Sequence, residues 1–166
     1  MKDEQLRVLK VMSGVTRKMD LNEFARLTAL DANVTLLSIQ ELAKAGYLKK
    51  SGNGYGITEK GKAILKVQTP VPDGLEFKFY VAVGQPTGLS ARSLKEFYEV
   101  VKTVDAVSLE FHLFRGDFTK WAESALMDEL FAGDLEDAVE SGLKGEGLRE
   151  IIACAIEERY GAEALQ

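Results

Sequence analysis

One cysteine, one histidine, one tryptophan and three prolines among 166 residues exclude several kinds of protein at the outset. A lone Cys154 cannot close an internal disulfide, which fits a reducing compartment and predicts a cytoplasmic chain. One His beside one Cys excludes a Cys/His zinc centre and argues against a cysteine–histidine nucleophile pair. The expectation is a protein that is not an enzyme and carries no metal or cofactor. No apolar run reaches the ~20 residues of a membrane span. The opening Met1-Lys2-Asp3-Glu4-Gln5-Leu6 lacks the apolar core of a secretory leader, so neither a leader nor a membrane partner is expected. With 46% hydrophobic and 28% charged residues, the chain is neither disordered nor fibrous.

What is present is an uneven distribution of charge. Residues 1–69 carry 12 Lys and Arg against 7 Asp and Glu, a net +5. Residues 70–166 carry 9 against 19, a net −10, so the overall −5 conceals two halves of opposite sign. Such asymmetry points to different partners for each half, nucleic acid being the natural one for the basic half. The sign changes at Gln68-Thr69-Pro70-Val71-Pro72-Asp73-Gly74, where two prolines fix φ and hold the residues before them extended. We read residues 1–67 as one domain, 68–74 as a linker and 75–166 as an acidic α+β domain.

Helical spacing in the basic half predicts a first helix over Glu4–Ser13, with Leu6 and Leu9 on its apolar side. A second helix is capped by Asp20, with Glu23 at capping-box distance and Phe24, Leu27 and Leu30 as its apolar stripe. A third runs from near Asn33 to Ala45 and stops at Gly46. Residues 47–50 and 55–58 read as short strands around Ser51-Gly52-Asn53-Gly54, and Thr58 caps a final helix. Helix–helix–turn–helix–hairpin–helix is the winged helix-turn-helix layout.

The stretch Leu42-Ala43-Lys44-Ala45-Gly46-Tyr47-Leu48-Lys49-Lys50, followed by Tyr55, Ile57, Thr58, Gly61 and Ile64, resembles the wing region of prokaryotic winged-helix transcriptional regulators, MarR-like ones among them. That resemblance covers about the first 65 residues and implies a third helix that enters the major groove of duplex DNA. With Leu42 turned inward, Thr35, Ser38 and Ile39 share its face, while Asn33, Leu37, Gln40 and Lys44 point outward. Asn and Gln can pair with adenine and Leu can pack on a thymine methyl. Arg17, Lys18, Lys44, Lys49, Lys50 and Asn53 are candidates for phosphate contacts. The alternative is a winged helix that docks on protein through Leu36 and Leu37 and binds no DNA, with Asn33 merely a cap.

In the acidic half, Leu75, Phe77, Phe79, Val81 and Val83 alternate with polar residues as a half-buried strand, broken over residues 84–88. Ser90 is expected to cap a helix ending near Thr103. A second strand is expected over Val107–Phe114, with Leu109, Phe111 and Leu113 on one face and Glu110 and His112 on the other. Strand–helix–strand favours a parallel pair with a right-handed crossover. Two strands make a poor sheet, so helices cover them or a second copy extends them, as in a homodimer. Asp117 should cap the next helix, and two more helices fit 126–141 and 146–160. Cys154 and Trp121 are expected in the core.

The run Ser108-Leu109-Glu110-Phe111-His112, then Arg115-Gly116-Asp117-Phe118 and Trp121, resembles a small prokaryotic domain of unknown function spanning about Phe77 to Tyr160. It implies a boundary and no chemistry. Glu110, His112 and Arg115 form a possible site for a small-molecule or protein effector. The opposing reading is structural: an Asp117 cap and a Lys78–Glu110 pair across the sheet. The acidic residues 128, 129, 134, 136, 137, 140, 157 and 158 read as a solvated face, or as a charge that lowers DNA affinity until an effector binds.

Overall fold

The computed structural model describes residues 1–15 and 17–166, which divide into two compact units, Met1–Lys66 and Val67–Gln166. The architecture is mixed α+β. Among the described residues there are nine α-helices, one 3₁₀ turn and two separate two-stranded antiparallel sheets.

The first unit begins with α1 (Asp3–Gly14), α2 (Leu21–Thr28) and α3 (Ala32–Lys44). Asp20 caps α2 by accepting the Glu23 N–H at 2.8 Å. Asp31, rather than Asn33, caps α3, its carboxylate accepting the Asn33 N–H at 2.8 Å. A short acidic side chain just before the first turn satisfies one of the orphan donors there. Val8, Leu9, Phe24, Ala25, Ile39, Leu42, Leu48 and Ile64 form the buried interior. Leu27, expected on the apolar stripe of α2, is 56% exposed.

Strands β1 (Leu48–Ser51) and β2 (Gly54–Ile57) pair from Leu48↔Ile57 to Ser51↔Gly54, a hairpin where the sequence predicts one, but with Ser51 and Gly54 paired so that two residues rather than four connect the strands. Helix α4 (Glu59–Gln68) follows, and its last two residues belong to the second unit. Thr58 Oγ accepts the Gly61 N–H at 3.1 Å and lies 2.7 Å from the Gly46 carbonyl oxygen, to which its hydroxyl can donate. A Cβ on Gly61 would sit 2.3 Å from the Tyr47 carbonyl oxygen, so only glycine lets α4 pack this closely on the start of the hairpin.

Residues 68–74 are not a free connector. The Val71 side chain is buried and its N–H donates to the Arg92 carbonyl at 2.7 Å, which ties the proline-rich stretch into the second unit. Strand β3 (Phe77–Ala82) turns at Val83-Gly84 into β4 (Gln85–Ala91), with an irregular register near Tyr80↔Pro86. A proline that donates no hydrogen bond is tolerated on such an edge. The expected break at 84–88 is therefore a turn and a strand. Ser93, not Ser90, caps α5 (Leu94–Thr103), accepting the Glu96 N–H at 3.2 Å.

The expected second strand is helix α6 (Ala106–Arg115). Its end signals decide the matter: Asp105 accepts the Val107 N–H at 2.9 Å, and Gly116 closes the helix in a left-handed conformation, φ +78°. The helix buries Ser108, Leu109, His112 and Leu113, and the spacings of three and four between these two pairs fit one helical face. An antiparallel hairpin with helices on it thus replaces the parallel crossover. Helices α7 (Asp117–Ser124), α8 (Glu129–Glu140) and α9 (Gly145–Tyr160) and the 3₁₀ turn Ala162–Leu165 complete the unit.

Phe77, Phe79, Phe97, Phe118 and Trp121 form one aromatic cluster, with Phe97 and Trp121 stacked at 5.1 Å and Phe97 edge-on to Phe118 at 5.0 Å. Leu75 and Val83, the ends of the expected strand, are instead exposed at 42% and 81%. Cys154 is exposed too, because α9 buries Leu148, Ile152, Ile156 and Tyr160 and turns residue 154 away from that row. Three acidic residues of the expected solvated face hold the helices together instead. Asp128 caps α8 and accepts the Tyr160 hydroxyl at 2.6 Å, Asp134 pairs with Arg159, and Glu157 accepts the Tyr98 hydroxyl. The bond to Glu157 is the main reason that the Tyr98 phenol is pushed up to about 12.

Candidate functional site

Two sites emerge, one in each unit. In the first, α3 buries Thr35, Ser38, Ile39 and Leu42 and leaves Asn33, Leu37, Gln40 and Lys44 exposed on the other face. Val34 and Leu36 are exposed beside them, at 40% and 42%. Lys49 and Lys50 are exposed on β1, and Asn53 is exposed in the hairpin turn. Lys18 is exposed as well. Arg17 is engaged: its guanidinium pairs with Glu23, and its Nη1 donates to the Lys18 carbonyl at 3.3 Å. That pairing holds the Glu23 carboxyl below its ordinary range.

In the second unit a cavity of about 420 Å³ opens between the β3–β4 hairpin and α6. Of the three residues expected to form a site, His112 and Arg115 line it and Glu110 does not. Two residues apart on a strand means a shared face, whereas on a helix it means opposite sides. Asp117, Glu76, Lys78, Tyr80 and Phe111 are the chemistry-bearing residues gained. Helical spacing carried this information, since Phe111 and Arg115 lie four apart and His112 and Arg115 three apart.

His112 is the keystone of the cavity wall. Its Nε2 accepts the backbone N–H of Tyr80 at 2.8 Å, which places the ring proton on Nδ1, 2.8 Å from Asp117 Oδ2. One imidazole thereby joins β3, α6 and the first turn of α7. Burial among Phe77, Phe79, Phe111 and Phe118 outweighs the pull of Asp117 and lowers the imidazole below its ordinary range. Asp117 does not cap α7 with its side chain as expected; Gly116 occupies the cap position and the carboxylate serves His112. Arg115 Nε lies 3.5 Å from the same carboxylate oxygen, and its guanidinium covers the Phe111 ring at 4.5 Å.

Among the described residues, no group of three or more His, Cys, Asp and Glu side chains is arranged to hold a metal ion. No helix among them is long and apolar enough to cross a membrane. The chain matches no family model, no curated protein and no solved structure.

Proposed function

We propose that the protein is a DNA-binding transcriptional regulator of the cytoplasm, related to prokaryotic winged-helix proteins and acting as a homodimer. In this reading the first unit is a winged helix, α3 lies in the major groove, and the β1–β2 hairpin is the wing along the backbone. The second unit dimerises or senses an effector. The observation that carries the reading is the outward face of α3, where Asn33, Leu37, Gln40 and Lys44 stand exposed in the unit that holds the chain's excess positive charge. Lys49, Lys50 and Asn53 on the hairpin supply the phosphate contacts. Lys18 adds to them, and Arg17 does so if it leaves Glu23. No arginine lies on α3, so base readout rests on Asn33 and Gln40 with adenine and Leu37 with thymine methyl groups.

Replacing Lys49 and Lys50 together by Ala tests this. Each phosphate contact removed lowers the salt dependence of binding by about one unit of log–log slope, so the double variant should lose about two. Unchanged affinity and slope would remove the hairpin from the interface.

A second reading has its own observation. Leu36 and Leu37, neighbours in sequence, are exposed at 42% and 56% on α3, which suits an adaptor that docks on another protein. Leu37→Ser separates the two: it weakens an apolar protein contact, whereas phosphate-driven binding to mixed-sequence DNA, to which the substitution adds no charge, survives it.

A further inference from the structure

The cavity of the second unit is suited to binding rather than to reaction. Both nitrogens of His112 are committed, one to the Tyr80 N–H and one to Asp117, so neither can exchange a proton with a bound molecule while the wall stays intact. Asp117 is likewise occupied by His112 and by Arg115 Nε. Arg115 is half-exposed, fixed between Asp117 and the Phe111 ring, and its terminal nitrogens remain available at the rim. Lys78, exposed on β3, has no ion-pair partner among the described residues. Beside these two cations stand Phe111, Tyr80, Ala82 and Val83, a mostly apolar lining with two aromatic rings.

We propose that this cavity binds a small organic monoanion, a carboxylate carried on a flat apolar group. The carboxylate lies against Arg115 and Lys78, and the apolar group against Phe111, Tyr80 and Val83. A planar guanidinium already held in place suits a carboxylate, because little side-chain freedom remains to be lost on binding. Glu76 also lines the cavity, and its negative charge disfavours a ligand of higher charge such as a phosphate monoester. A cavity of 420 Å³ suits a molecule of aromatic-acid size, near the lower end of ordinary ligand sites at roughly 300–1,000 Å³. Every residue involved belongs to the second unit, so the proposal stands independently of DNA binding by the first.

The test is calorimetric titration of the full chain with phenylacetate, compared with acetate, benzyl alcohol and benzylamine at matched ionic strength. The Cε1–H resonance of His112, the chain's single histidine, is followed in parallel. Phenylacetate is expected to bind with a Kd of about 1 mM or tighter. It should shift the His112 resonance, and the other three compounds should bind at least about tenfold more weakly. Arg115→Gln and Lys78→Gln should each weaken phenylacetate roughly tenfold, and Lys144→Gln, on an exposed residue outside the cavity, should not. No binding of phenylacetate up to about 10 mM overturns the proposal, as does equal binding of benzyl alcohol or benzylamine. Unchanged affinity in Lys78→Gln also overturns it, and this variant decides even if Arg115→Gln perturbs the fold.

Discussion

His112 and Ser108 sit one helical turn apart on the buried face of α6 and present opposite cases of a polar group removed from water. The imidazole is fully used, accepting a backbone N–H and donating to a carboxylate. The Ser108 hydroxyl has no hydrogen-bond partner among the described residues, although the residue is completely buried. A buried donor left unpaired costs about 1–3 kcal/mol, and removing it with little change of shape recovers part of that. Ser108→Ala should therefore raise stability by about 1 kcal/mol, read as a higher urea midpoint with an unchanged slope. A lower midpoint would mean that the hydroxyl is bonded. At the same scale, Gly61 was legible only as a motif letter, and its reason is the 2.3 Å approach to the Tyr47 carbonyl.

At the scale of elements, the first unit was the more legible. Caps at Asp20 and Thr58, a stop at Gly46 and a turn at Gly52-Asn53 are local signals, and local hydrogen bonds fulfil them. The inward and outward faces of α3 also followed from spacing alone. The second unit was misread where periodicity was ambiguous. Residues 107–114 are apolar at alternate and at helical positions alike, and the deciding Asp105 and Gly116 lie outside the run. Pro86 and Gly88 suggested a loop because the edge position that tolerates them depends on tertiary pairing. With α6 read as a strand, Glu110 entered the candidate site and Phe111, Lys78 and Tyr80 stayed out of it.

The link between β3, α6 and α7 carries a pH dependence. The folded imidazole of His112 lies below the unfolded value of 6.5, so in the interval between the two the unfolded chain binds more protons. Stability contributed by neutral His112 is complete above pH 6.5 and declines as the pH falls below it toward the lowered folded value. The single histidine resonance should titrate with a midpoint below 6.5, and thermal melts should shift down from pH 7.5 to pH 5.5. A midpoint above 6.5 would mean that the Asp117 contact outweighs burial.

At the scale of the whole molecule, the division into Met1–Lys66 and Val67–Gln166 coincides with the change in charge from +5 to −10. The proposed division of labour follows the charge: the basic unit meets the polyanion and the acidic unit takes the small ligand. Fluorescence anisotropy of a labelled mixed-sequence duplex, titrated with the full chain over a salt series, tests the central claim most directly. Our account predicts micromolar binding that weakens steeply with salt, with a slope that reports the number of phosphate contacts. Absence of binding at the lowest salt would contradict it and leave the exposed Leu36 and Leu37 of α3 as a surface for protein.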